Sequence, residues 1–233
     1  MKFLREITRK FKYNLKFLSK NKKIKLNYVV NSSSNSKLTE LMNFYGSDKG
    51  GRNNHHNYSE YYSELFFNER KNIKNFLEIG LGTNDVNILS NMGEKGIPLA
   101  SLKAWRDYFE NAIIYGADID KKILKNHERI KTYFVDQTDP KTIELLFKNI
   151  GISDFDVILD DGLHEYNANI CLFENSIKFL SNSGIYIIED VYFKDKQKFI
   201  NYLNNSDYNY SIVDIYHKKN IANNCIIVIR KNI

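Results

Sequence analysis

The chain has 233 residues, 42% of them apolar, and a net charge of +6, which suits one α/β domain with a small appendage. No run of 18 apolar residues occurs, which excludes a membrane-spanning helix, and charges threaded through the N-terminus exclude the unbroken apolar core of a signal peptide. Cys171 and Cys225 lie in apolar runs without Cys or His at zinc-ligand spacing. They are expected to be buried free thiols in a cytoplasmic setting.

Ten basic residues and only Glu6 among the acids fall within the first 25 positions. The remainder of the chain is therefore mildly acidic and shows no basic patch, which argues against a nucleic-acid partner. Leu4, Ile7, Phe11, Leu15 and Leu18 recur at helical spacing opposite Lys and Arg, predicting a basic amphipathic helix. Such a helix either packs on the body or a second subunit, or contacts the inner membrane face peripherally. Polar residues Asn31–Ser36 read as a linker, giving residues 1–36 as helix and linker and residues 37–233 as the catalytic domain.

From residue 73 apolar strands alternate with helical stretches. Strands are expected at 75–79, 113–118, 130–135, 157–160, 185–188, 211–216 and 225–229, with helices at 101–109, 140–148, 166–180 and 194–204. That alternation predicts a Rossmann-like α/β fold with a mostly parallel sheet, helices on both faces and a C-terminal antiparallel hairpin.

The first strand runs through Glu78 into Gly80-Leu81-Gly82, a turn whose glycines allow close approach of a ligand. Asp85 stands where a dinucleotide fingerprint has its third glycine and would repel a pyrophosphate. A cationic cofactor, S-adenosylmethionine (SAM), fits the acidic surroundings better. Asp118 closes the second strand, where a carboxylate can accept from both ribose hydroxyls; Asp120 is either a helper or a cap. Asp136 or Gln137, after the third strand, could meet the adenine, although Thr138-Asp139-Pro140 also looks like a helix start. Ser101 and Asp160 are counted with the cofactor site, and Trp105 either walls the adenosine or packs in the core.

Strand tips further along carry Asp160, Asp161, His164, Glu189 and Asp190. Four carboxylates gathered there require a cation, and a hard divalent ion, Mg²⁺ first, suits oxygen donors. His164 can take a proton near neutral pH, so His164 and Asp161 are the catalytic candidates.

These runs, with Ala100-Ser101-Leu102-Lys103-Ala104-Trp105, Gly116-Ala117-Asp118-Ile119, Asp160-Asp161-Gly162-Leu163-His164 and Ile188-Glu189-Asp190, resemble class I SAM-dependent sugar O-methyltransferases. The resemblance is to the mycinamicin type of macrolide tailoring and to bacterial capsule and glycan O-methyltransferases. It implies Mg²⁺ held by Asp161, Glu189 and Asp190, His164 as general base, and a homo-oligomer. Leu163 replaces a frequent serine of that family. Tyr45-Gly46-Ser47-Asp48-Lys49-Gly50 with His56-Asn57-Tyr58 resembles the family's entry region, lengthened here by Asn53 and Asn54. A sugar or nucleotide-sugar acceptor in capsular polysaccharide biosynthesis is expected. A catechol-like or phosphorus-containing acceptor, a non-catalytic membrane or partner-binding module, and a nicotinamide oxidoreductase are the competing readings.

Overall fold

A computed structural model describes residues 24–29, 36–220 and 222–232. The N-terminal amphipathic helix lies outside the described residues. Eight strands form one sheet: β1 (Ile24–Tyr28), β2 (Asn75–Ile79), β3 (Ile113–Asp118), β4 (Ile130–Phe134), β5 (Phe155–Asp160), β6 (Leu180–Ile188), β7 (Tyr208–Ile215) and β8 (Cys225–Lys231), ordered β1-β7-β8-β6-β5-β2-β3-β4. Only β8 runs antiparallel to its neighbours, β6 and β7. The chain winds outward from β2 through β3 to β4, then returns to place β5 beside β2. Order reverses between β2 and β5, and a crevice opens at the carboxyl ends of such strands.

Among the described residues six α-helices cover the sheet: α1 (Lys37–Tyr45), α2 (Tyr58–Leu65), α3 (Ala100–Tyr108), α4 (Pro140–Ile150), α5 (Tyr166–Ser176) and α6 (Lys196–Asn204). Successive strand residues point to opposite faces, and both faces here are apolar, as in buried parallel sheets. Phe76, Val157, Leu159, Ile185 and Ile187 join Met42, Tyr62 and Trp105 from the α1–α3 layer. Leu77, Ile158, Tyr186 and Ile188 join Phe147, Phe173 and Phe199 from the α4–α6 layer. Trp105 is fully buried among Tyr62, Phe76 and Phe109; it packs the core and walls no cavity. Asp139 caps α4 by accepting from Lys141 N, with Pro140 in the first turn and left-handed Gly151 behind it, as the sequence suggested.

Three differences have physical causes. Strand β1 falls within the stretch assigned to the appendage, yet it pairs in parallel with β7, a long-range partnership that local pattern cannot reveal. Helices α1 and α2 were not anticipated, because they are short and rich in polar and tyrosine residues. The helix expected to reach residue 180 stops at Ser176, and Leu180 already belongs to β6. Cys225 is buried, as expected, whereas Cys171 is only half-buried. Among the described residues no helix is long and apolar enough to cross a membrane.

Candidate active site

A cavity of about 870 Å³ lies over the β2/β5 crevice. Its floor begins with Gly80, whose φ of +92° is in the left-handed region. A Cβ there would sit 2.5 Å from Asp161 C and 2.9 Å from Gly162 Cα. Only glycine lets the β2 and β5 turns approach this closely. Gly82, at φ +78°, likewise has Met92 packed where a Cβ would go.

Asp118 sits at the tip of β3, nearly buried. Its two oxygens accept from Leu81 N at 2.7 Å and from Asp120 N at 2.8 Å, so it ties the Gly turn to β3 while lining the cavity. Burial raises its pKa against those hydrogen bonds. Asp120 does not line the cavity: it accepts from Thr83 Oγ1 at 2.5 Å and from Lys122 N at 2.9 Å, and is a cap. Ser101 and Asp136 line the cavity; Asp136 uses one oxygen on Thr138.

Gln137 reaches the cavity wall, but both ends of its amide are engaged. Nε2 donates to Asp160 Oδ1 at 2.8 Å and Oε1 accepts from Leu163 N at 2.7 Å. Asp160 is wholly buried and also accepts from Asn169 Nδ2 at 2.8 Å. Strand alternation explains this: Asp160 shares the face of Ile158 and points into the α4–α6 layer, off the cavity. Burial pushes its carboxyl up to about 6. Gln137 and Asp160 thus brace the β5 turn, and of the two only Gln137 also lines the cavity.

Glu78 lies off the cavity wall for the same reason. It shares the face of Phe76 and points beneath the crevice, fully buried, with neither oxygen accepting a hydrogen bond of normal geometry. Burial pushes it up to about 7, against the pull of the Lys49 ammonium 3.6 Å away.

Asp161, His164 and Asp190 face the cavity, and one potential ligand atom of each lies within 4.8 Å of the others. His164 and Asp190 have φ of +59° and +54°, unfavourable for side chains and costing about 1–3 kcal/mol each. Strain of that kind clusters at functional sites. His164 Nε2 stands 3.7 Å from Asp190 Oδ2, and its Nδ1 is buried without a hydrogen bond. Asp190 Oδ1 accepts from Tyr58 OH at 2.6 Å and lies 3.3 Å from His56 Nδ1.

Glu189 lies deeper and is 1% exposed. Oε1 accepts from Tyr62 OH at 2.6 Å and Oε2 from Lys49 Nζ at 2.6 Å. Lys49 also pairs with Asp161 Oδ2. Burial opposes the charge on Lys49, but attraction to Asp161, Glu189, Asp48 and Glu78 holds the ammonium well above the usual lysine range. Asp161 would be raised by burial, yet Lys49 and His164 pull it below its ordinary value. Glu189 and Asp190 are both raised by burial. A carboxylate oxygen with one hydrogen bond keeps a second lone pair. Asp161 and Asp190 therefore retain hard donors facing the cavity for a divalent cation, with the His164 imidazole beside them, while Glu189 lies beneath them, off the cavity wall, with its oxygens on Tyr62 and Lys49.

Lys49, Tyr58 and Tyr62 were not among the expected site residues. The entry-region resemblance touched Lys49 and Tyr58; Tyr62 carried no signal beyond its place one helical turn after Tyr58. His55 lines the cavity, whereas His127 is exposed and His217 accepts from the amides of Lys219 and Asn220. Around the mouth, Leu89, Ile97, Ile119 and Tyr192 are 71%, 47%, 47% and 39% exposed.

No family model matches the chain. Among curated proteins it is 31% identical to 8-demethyl-8-alpha-L-rhamnosyl tetracenomycin-C 2'-O-methyltransferase of Streptomyces olivaceus over 147 residues, 63% of this chain and 35% of that protein. It is 30% identical to demethylmacrocin O-methyltransferase of Streptomyces fradiae, over 69% of this chain and 38% of that one. Mycinamicin VI 2''-O-methyltransferase of Micromonospora griseorubida is also 30% identical, over 66% and 36%. The chain thus spans between a third and two fifths of the length of these relatives. A solved structure of the MycE methyltransferase with Mg, SAH and mycinamycin VI superposes with a TM-score of 0.57 at 28% identity, over 68% of this chain and 40% of that one. A caffeoyl-CoA O-methyltransferase-like structure from Staphylococcus aureus has a TM-score of 0.51 at 13% identity, over 74% and 81% of the two chains, a likeness of fold. The fold is the Rossmann-like fold of class I SAM-dependent methyltransferases.

Proposed function

Related in sequence and fold to sugar O-methyltransferases, this chain, we propose, transfers a methyl group from SAM to a sugar hydroxyl with the help of a divalent cation. One observation carries the reading: the Gly80–Gly82 turn and Asp118 open into the same cavity as Asp161, His164 and Asp190. Cofactor-binding and proton-handling groups thus share one enclosure.

In this reading Asp118 accepts from the ribose hydroxyls and Asp136 and Ser101 border the nucleoside, supported by their common place on the cavity wall. Gly80 and Gly82 admit the cofactor close to the backbone. Asp161, Glu189 and Asp190 would hold the divalent ion, Mg²⁺ by the hardness of the donors. When bound, such an ion lowers the pKa of a coordinated hydroxyl and orients it, worth several kcal/mol. His164 Nε2 takes the hydroxyl proton, and Asp190 beside it stabilises the imidazolium that forms. General-base help of this kind contributes about 10²–10⁴-fold, and alignment of oxygen, methyl carbon and sulfur supplies much of the remainder.

The cavity wall holds five aspartates, Asp48, Asp118, Asp136, Asp161 and Asp190, and at its mouth the apolar Leu89, Ile97, Ile119 and Tyr192 are exposed alongside the uncharged polar Asn87, Ser90 and Thr138. A nucleotide diphosphate would meet like charge there, whereas a sugar on a neutral, apolar carrier would meet Leu89, Ile97 and Tyr192. This favours a glycoside acceptor over a nucleotide-activated sugar. The tetracenomycin relative is named for a rhamnosyl compound. A cytoplasmic capsule or glycan precursor on a lipid carrier fits the same chemistry, and a homo-oligomer or peripheral membrane contact through residues 1–25 is compatible with it.

The test is transfer from labelled SAM to a panel of neutral glycosides and nucleotide sugars, with Mg²⁺ and with EDTA. Labelling of a glycoside that EDTA abolishes is the expected result; labelling that survives EDTA removes the metal from the mechanism. His164→Gln should lose about 10²–10⁴-fold in turnover while binding SAM normally, and normal turnover would remove His164 as base.

A further inference from the structure

Four carboxylates, Glu78, Asp161, Glu189 and Asp190, converge below and beside the cavity, yet Lys49 is the one ammonium among the described residues that enters the cluster. It is 2% exposed. Its Nζ lies 2.6 Å from Glu189 Oε2 and 3.6 Å from Glu78 Oε1, and it contacts Asp161 Oδ2. Asp161 extends β5 and Glu189 extends β6, so the ammonium ties the tips of two strands together.

The turn that delivers Lys49 is itself anchored. Ser47 Oγ accepts from Lys49 N at 3.3 Å, Asn43 Nδ2 donates to Gly50 O at 3.0 Å, and Gly51 N donates to His56 O at 2.8 Å. A long, flexible side chain is thereby presented from a fixed backbone. The ammonium spans both levels: it meets buried Glu78 and Glu189 and also the cavity-facing Asp161, beside which His164 and Asp190 offer atoms to a soluble ion. Without any cation the buried carboxylates would carry uncompensated charge, which is costly.

We infer that Lys49 is the resident counter-cation of this cluster, a positioning residue that holds Asp161 and Glu189 for the divalent ion and fills the place of a second cation. The inference rests on the metal reading above, and the experiment separates the two. Lys49→Ala in the full chain is titrated with Mn²⁺ and melted, alone, with n-propylammonium, which restores the deleted atoms and charge, and with n-propanol, which restores the volume only. Loss of a supporting partner of a metal ligand weakens metal binding about 10–100-fold. The expected result is that loss, with Mn²⁺ affinity and melting temperature recovered by propylammonium and not by propanol. Wild-type affinity in Lys49→Ala, recovery by both additives, or recovery by neither would overturn the inference. If the wild-type chain binds no Mn²⁺, the metal reading falls and the melting comparison alone decides the role of Lys49. If Lys49→Ala folds only with propylammonium, the inference stands. If it does not fold at all, Lys49→Met, which keeps the volume without charge, decides: Mn²⁺ affinity about tenfold weaker supports the role, and unchanged affinity overturns it.

Discussion

Gly80→Ala tests whether the cavity depends on close approach of the β2 and β5 turns. At φ +92° an L-residue is strained by about 1–2 kcal/mol. The new Cβ would also lie 2.5 Å from Asp161 C, about an ångström or more inside the usual 3.5–4.0 Å carbon–carbon separation. Overpacking of that size costs about 1–3 kcal/mol more. A mid-range total of about 3.5 kcal/mol lowers the melting temperature of a chain this long by about 7–14 °C. The backbone that must retreat carries Asp161, so methyl transfer should fall about 10²-fold, the usual effect of a 1 Å misplacement. Gly151→Ala is the control: its φ is +78°, but a Cβ there meets nothing within 4 Å, leaving strain alone. Melting by circular dichroism and single-turnover transfer measure both effects. Equal melting losses in the two variants, or Gly80→Ala turning over at the wild-type rate, would refute close packing as the reason for glycine at position 80.

Glu78→Gln tests the buried carboxyl raised from 4.5 to about 7. The folded chain favours the neutral form, so stability present below pH 4.5 is lost as pH rises through 7, by about 3 kcal/mol at pH 8 in the metal-free protein. The glutamine variant should match the wild type near pH 4.5 and surpass it at pH 8 in urea midpoint; parallel pH profiles would contradict this. Asp118→Ala leaves Leu81 N and Asp120 N without their acceptor and removes the proposed ribose contact. SAH binding by calorimetry should weaken at least about tenfold, since each unpaired buried donor costs about 1–3 kcal/mol; an unchanged Kd would displace Asp118 from the cofactor site. Leu89→Asp at the mouth should raise the KM for a glycoside acceptor while leaving SAH affinity intact, and an unchanged KM would remove the apolar rim from acceptor binding.

Much of this protein is determined locally. Alternation of apolar runs with helical stretches specifies β2 through β8 and α3 through α6, because side-chain period and chain stiffness act over a few residues. Gly80, Gly82, Asp118, Asp161, His164 and Asp190 could be named from sequence because residues at or just beyond strand ends lie at the crevice. Tertiary structure decided the rest. Whether a strand-end acid faces the cavity depends on which sheet face it occupies and what packs there, so Glu78 turned down to Lys49 and Asp160 turned to Asn169. Strand β1 exists only through its pairing with β7. The grip of Lys49, Tyr58 and Tyr62 on Asp161, Glu189 and Asp190 joins residues more than a hundred positions apart, and packing of α1 and α2 against the sheet creates it.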